Sequence, residues 1–257
     1  MIQAVHKAVH LLEALAQFYP ECVTLGQLSE KTGISKSTCV HLLNTLIDDS
    51  LVERKAHAKY CLGIGCFYLT RSGGFEADKL SICRPVLKWL RDKTEETVLV
   101  SVLSGSDMYT IDYLEGKHSI LNQEYTPMKD YIYSNSSGRI LLANLQPEFL
   151  QRVIEVHGLP RFPQWHDFEN KVELEKALKK IKKEPWITAY NTAENGYYIG
   201  YSAPLYDKGT FFGALGLATF RKELISHAST QERSLTNHLI RAAKEMNRRL
   251  RFGSNYT

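Results

Sequence analysis

Hydrophobic positions along the chain switch between helical and strand spacing, and the switches mark out its elements. Over residues 3–18, Val5, Val9, Leu12, Leu15 and Ala16 recur every three or four positions, which is one side of a helix. Pro20 ends that helix because it has no backbone N–H to continue the ladder. Two shorter helical patterns follow across 24–46, separated by Gly33-Ile34. Thr24 and Gln27 fit a capping box at the start of the first, and Ser35 fits a cap for the second. In that second helix Val40, Leu43 and Leu46 share a face suited to burial. The spacing then drops to two in Leu51-Val52-Glu53-Arg54 and Lys59-Tyr60-Cys61-Leu62, joined by Lys55-Ala56-His57-Ala58. That reads as a β-hairpin with a four-residue loop. A helix–turn–helix followed by a hairpin is a winged helix.

Beyond residue 62 a connecting helix over 63–70 runs into Arg71-Ser72-Gly73-Gly74, a break that marks a linker. A further helix spans 78–93, with Pro85 either kinking it or lying in the first turn of a later start. Strands are expected at 97–103, 108–115, 119–125, 186–190, 198–206 and 210–219. Gly105-Ser106-Asp107 and Asp207-Lys208-Gly209 supply hairpin turns. Helices are expected to open at Ser136-Ser137-Gly138 and to cover 147–156, 170–183 and 230–251. Strands joined by hairpins and flanked by helices make an α+β domain on a largely antiparallel sheet, with room for a concave site. The expected organisation is a winged helix–turn–helix over 1–62, a linker helix over 63–77 and an α/β ligand-binding domain over 78–257.

The second helix of the winged unit has the chemistry of a groove reader. Ser35, Lys36, Ser37, Thr38, His41 and Asn44 offer polar atoms near its start, and no acidic residue precedes Asp48. Hydroxyls and amides can bond phosphates or base edges, and Lys36 can neutralise a phosphate. Thr24 at the preceding helix start, and Arg54, Lys55 and Lys59 on the hairpin, complete the candidate DNA-contacting set. Charge qualifies this picture. Residues 1–62 hold six Lys/Arg and six Asp/Glu, so the unit has no net positive charge, and binding calls for two copies acting together.

The whole chain has 257 residues, 44% hydrophobic and 23% charged, with a net charge of +4. These values fit an ordinary soluble protein. No apolar run is long enough to span a bilayer and no signal peptide is apparent. Five cysteines, at 22, 39, 61, 66 and 83, show no disulfide framework, which points to a reducing, cytoplasmic setting. His6 and His10 have a metal-compatible spacing, but spacing alone assigns no metal, and no cofactor fingerprint appears. Two other functions are open. Gly200-Tyr201-Ser202-Ala203-Pro204 invites comparison with a hydrolase elbow, which needs a glycine where Pro204 stands. The electrically neutral winged unit also suits a protein-interaction adaptor.

In Leu25-Gly26-Gln27-Leu28-Ser29-Glu30-Lys31-Thr32-Gly33-Ile34-Ser35-Lys36-Ser37-Thr38 and in Leu51-Val52-Glu53-Arg54, closing on Tyr60-Cys61-Leu62-Gly63, the chain resembles the IclR family of bacterial transcriptional regulators. The likeness continues in Thr97-Val98-Leu99-Val100-Ser101-Val102 and in Ser134-Asn135-Ser136-Ser137-Gly138-Arg139, with arginine where the family usually has lysine. It ends in Tyr201-Ser202-Ala203-Pro204-Leu205-Tyr206-Asp207. The resemblance implies a GAF-like effector domain and a homodimer, often pairing to a tetramer, on a palindromic double-stranded operator. It also implies a small organic, aromatic or sugar acid as effector. Carried over, the effector pocket takes Ser136, Ser137 and Gly138, the segment 194–202 with Glu194, Tyr197, Tyr198, Tyr201 and Ser202, and Gly216 and Ala218. Tyr133 and Tyr190 lie near these in the pattern. Many relatives carry serine where Gly216 and Ala218 stand, so the effector is expected to differ. The start of the helix at Gly138 suits a carboxylate, since free N–H groups and a partial positive charge gather there.

Overall fold

Helix α1 (Gln3–Phe18) buries Leu11, Ala14 and Leu15 and leaves Val5 and Val9 exposed. The buried stripe therefore runs through Ala8, Leu11, Leu15 and Phe18 rather than through the expected Val5 and Val9. Apolar residues surround much of this helix, so spacing alone does not choose which stripe meets the core. The structure is a computed structural model that describes residues 2–71, 77–117, 132–193, 196–221 and 230–252. The chain divides into two compact units, Met1–Ala77 and Asp78–Thr257.

In the first unit, helix α2 (Leu25–Thr32) opens on the capping box. The Gln27 N–H donates to Thr24 Oγ1 at 3.4 Å and the Thr24 N–H donates to Gln27 Oε1 at 2.9 Å. Gly33, at φ 68°, ends it in the left-handed region, where a side chain would be strained. Helix α3 (Lys36–Asp48) begins at the Ser35 cap and buries Cys39, Leu43 and Leu46, while Val40 is only half-buried. The small, well-placed Cys39 takes the inner position at the turn where Val40 was expected.

A two-residue strand β1 (Val23–Thr24) joins β2 (Val52–Lys55) and β3 (Lys59–Leu62) in the order β1-β3-β2. Lys55 pairs with Lys59, so the hairpin loop is the three residues Ala56–Ala58 rather than four. His57 and Ala58 absorb the tighter turn at φ 57° and 53°. Helix α4 (Ile64–Arg71) follows.

In the second unit, α5 (Ala77–Thr94) carries Pro85 inside it and buries Cys83, Val86, Leu87 and Leu90. Five strands form one antiparallel sheet: β4 (Thr97–Ser104), β5 (Asp107–Leu114), β6 (Ile187–Ala193), β7 (Gly196–Asp207) and β8 (Thr210–Arg221). Their order is β5-β4-β8-β7-β6. The strand expected at 119–125 lies outside the described residues. Helices α6 (Ser136–Ala143), α7 (Pro147–His157) and α8 (Lys171–Ile181) share one core with Met108, Phe211 and Ala214. Helix α9 (Thr230–Phe252) and α5 share the other core with Val98, Val100, Tyr201, Leu215 and Leu217. Because side chains alternate along a strand, β7 points Ile199, Tyr201 and Ala203 toward α9 and Gly200 and Ser202 toward α6.

Leu43 is fully buried among α1, α2 and the hairpin. Leu43→Ala should destabilise the first unit by about 2–5 kcal/mol through lost burial and a residual cavity. All three tryptophans (Trp89, Trp165 and Trp186) lie in the second unit. Urea titration should therefore move the circular-dichroism transition to lower denaturant while the tryptophan transition holds its place.

Candidate functional site

The outer side of α3 is the first site. Lys36, Ser37, His41 and Asn44 are exposed on it and Thr38 is half-buried. No acidic side chain interrupts this strip before Asp48. Two candidates prove to be structural as well. The Ser35 hydroxyl accepts from the Thr38 N–H at 3.4 Å and lies 3.2 and 2.9 Å from the hydroxyls of Ser37 and Thr38. The Thr24 hydroxyl donates to Gln27 Oε1 at 2.9 Å. Both side chains spend their oxygens on helix ends, which sets the pitch at which α3 leaves the turn.

On the hairpin, Arg54, Lys55 and Lys59 are exposed. Lys55 Nζ lies 2.5 Å from Glu53 Oε1, and that hydrogen bond raises the lysine pKa. The pair is solvent-exposed, so a phosphate can replace Glu53 at little cost. His57 stands exposed at the wing tip. It was missed as a candidate because its prominence comes from the left-handed turn, not from any residue pattern.

The second candidate site lies where α6 meets the sheet, and here the structure corrects several expectations. Asn135 caps α6, with its Oδ1 accepting the Gly138 N–H at 2.7 Å. That N–H is thus already used and does not await a carboxylate. Gly138 is required for a different reason: a Cβ there would fall 2.0 Å from the Ile132 carbonyl oxygen. Ser136 and Ser137 are buried, and their hydroxyls lie 2.7 and 2.8 Å from Ser202 Oγ. A Cβ on Gly200 would meet Ser136 Oγ at 2.8 Å, and one on Gly216 would meet Ser137 Oγ at 2.8 Å. The serines and glycines therefore form one packed seam.

Tyr133 is buried behind the seam and donates to the Gly158 carbonyl at 2.8 Å, and burial pushes its hydroxyl up to about 12. Arg139 turns the same way. Its Nε donates to the Tyr133 carbonyl at 2.9 Å, its Nη2 donates to the Gln164 carbonyl at 3.2 Å, and the guanidinium stacks 4.5 Å from the Trp165 ring. Burial lowers its pKa to about 10, still charged at neutral pH.

The sheet separates three of the remaining tyrosines from this seam. Tyr190, Tyr197 and Tyr201 pack on the α9 side, where Tyr190 and Tyr201 line a small cleft with Arg221, Glu232 and Leu235. Arg221 is already paired there, its Nη2 2.8 Å from Glu96 Oε1. The expected single lining thus splits, because neighbouring residues on one strand face opposite ways. Glu194 lies outside the described residues. What remains on the α6 side, beside the seam, is Tyr198, Gly200 and Ala218: Gly200 pairs with Ala218, and Tyr198 is exposed with its ring 5.5 Å from Phe220.

Ser202 is fully buried within β7, with its hydroxyl bonded to two serines, so it has neither the turn nor the exposure of a hydrolase nucleophile. The His6 and His10 rings stack at 4.1 Å, and no group of three or more metal-ligating side chains occurs among the described residues. No helix among them is long and apolar enough to cross a membrane.

Residues 76–248 match the family described as bacterial transcriptional regulator IclR C-terminal, and residues 4–56 match the IclR helix-turn-helix domain. The regulator TtgV of Pseudomonas putida is 25% identical over 154 residues, which is 60% of this chain and 58% of that protein. The transcriptional repressor IclR of Escherichia coli is 26% identical over 161 residues, 62% of this chain and 58% of that protein. The matches thus span less than two thirds of these relatives. A solved IclR homolog from Microbacterium hydrocarbonoxydans, complexed with 4-hydroxybenzoate, has the same fold, with a TM-score of 0.68 at 17% identity over 96% of this chain and all of that one.

The seam can be tested by stability alone. Ser202→Ala leaves two buried hydroxyls without their shared partner and should cost about 1–3 kcal/mol. Gly138→Ala should lower the melting temperature further, since the backbone of Ile132 must move. Calorimetric melting in the absence of any ligand checks both.

Proposed function

The chain belongs to the IclR family of bacterial transcriptional regulators, and from that membership we propose that it is a ligand-responsive DNA-binding regulator. The carrying observation is the acid-free polar strip Lys36-Ser37-His41-Asn44 on a capped helix of the helix–turn–helix. In this reading residues 1–62 bind DNA, 63–77 link, and 78–257 bind the effector. The unit's balanced charge makes one copy a weak binder, so a homodimer, with pairing to a tetramer as a further step, places two reader helices on a palindromic operator. The outermost contacts come from Lys36 and from Arg54, Lys55 and Lys59 on the wing, with Thr24 and Ser35 holding the helix ends. Action on chromosomal DNA places the work in the cytoplasm.

For the effector we propose a small organic, aromatic or sugar acid at the α6 side of the sheet, against Tyr198, Gly200 and Ala218 and bordered by Ser136, Ser137, Ser202 and Gly216. Tyr198 offers a ring face and a hydroxyl, and the short Ala218 side chain leaves a planar ligand room beside the seam. The Microbacterium relative's complex with 4-hydroxybenzoate supports an aromatic acid.

Operators selected from a random DNA library provide the substrate for testing. Lys36→Ala should weaken binding broadly and lower the slope of log K against log salt by about one. An unchanged slope would remove Lys36 from the phosphate contacts. Separately, Ala218→Leu should fill the proposed effector site. It should abolish the thermal shift produced by whichever acid a panel including 4-hydroxybenzoate identifies, while leaving operator affinity within about twofold, as expected for a site remote in sequence from the reader.

A further inference from the structure

Two of the five cysteines face one another across the winged unit. Strand β1 pairs antiparallel with β3 in the register Val23↔Tyr60 and Thr24↔Lys59, which sets Cys22 opposite Cys61. Val23 and Tyr60 point into the core, so the next pair out, Cys22 with Cys61, lies on the outer face of the sheet, and both are half-buried. Directly opposed residues in an antiparallel pair have Cα atoms roughly 4.5–5.5 Å apart. A disulfide accepts about 4.4–6.8 Å. The Cys61 thiol donates to the Glu53 carbonyl at 3.8 Å, and burial first, then the neighbouring Cys22, push it up to about 11.

Cys39 and Cys83 are buried, and Cys66 bonds the Leu51 carbonyl at 3.2 Å.

We propose that Cys22 and Cys61 are a modification site, a dithiol that a small-molecule disulfide oxidises to an intramolecular disulfide. Cys22 releases its proton to solvent and attacks one sulfur of the small disulfide, whose S–S bond breaks and whose second half leaves and takes up a proton. The product is a mixed disulfide on Cys22. Cys61 then releases its proton and attacks the Cys22 sulfur, forming the protein disulfide and expelling the second small thiol. Two protein thiols are oxidised and one small disulfide is reduced to two thiols. The second step needs the Cys61 thiolate, so it quickens as pH rises toward about 11. The bond would close residues 22–61 into a ring that holds the α2 cap, α3 and the whole wing. Oxidation thereby ties the strand that leads into α2 to the central strand of the wing.

The test incubates the reduced full-length chain with excess glutathione disulfide and maps alkylated peptides by mass spectrometry, in buffer and in urea. The expected product is a Cys22–Cys61 linked peptide, two hydrogens lighter than the reduced pair. Its formation should be at least about tenfold faster in buffer than in urea, because the fold holds the two sulfurs together. Cys61→Ser should trap a glutathione mixed disulfide on Cys22, and raising pH from 7 to 9 should accelerate ring closure in the unmodified chain. Separate mixed disulfides on both cysteines of the unmodified chain would overturn the proposal. So would linkage no faster in buffer than in urea.

Discussion

Helix α6 can lie against the sheet only because the strands beneath it carry glycine at 200 and 216 and the loop before it meets glycine at 138. Any Cβ at these points would enter a hydroxyl or a carbonyl. The close approach dries the contact, and the three hydroxyls of Ser136, Ser137 and Ser202 must then satisfy one another. The rest of the second unit follows from this seam. Asn135 must cap the helix because the serines are occupied, Tyr133 is pulled into the core behind it, and Arg139 is drawn away to brace the carbonyls of Tyr133 and Gln164. At the seam's edge Tyr198 and Ala218 leave the sheet less covered, which is where the effector is proposed to bind.

The first unit solves a smaller problem. Its apolar core is modest, so helix ends and turns decide where the reader helix points. The Thr24–Gln27 box, the left-handed Gly33 and the Ser35 cap fix the angle between α2 and α3 within a few residues. Strand β1 then anchors the entry to α2 on the wing, which makes reader and wing one body. With positive and negative charges equal in number over 1–62, placement of single cations matters more than their total.

Much of this was legible in the residues. Caps, glycine turns and changes of hydrophobic period act locally, so α2, α3, the hairpin and the long antiparallel strands could be placed from nearby sequence. Two kinds of fact could not. The stripe of α1 that faces inward depends on neighbours far along the chain, and its apolar circumference allowed Val5 and Val9 as readily as Leu11 and Ala14. The effector residues were carried over from the family resemblance as whole segments, yet Tyr201 and Ser202 are adjacent and point to opposite sides of the sheet. Period two predicts that separation once the strand is drawn. Which helix covers each side still required the helices to be in place. Gly138 shows a related limit: a glycine at a helix start suits an anion or a close backbone contact equally well, and the contact with the Ile132 carbonyl appears only in the fold.

The proposed regulator works only where α3 and the wing meet DNA. Hydrogen–deuterium exchange of the full chain, with and without a DNA duplex selected from a random library, reads that contact most directly. The account predicts added protection at the start of α3, over residues 35–45, and on the hairpin at 54–59. Protection confined to the second unit, or absent from α3, would contradict it.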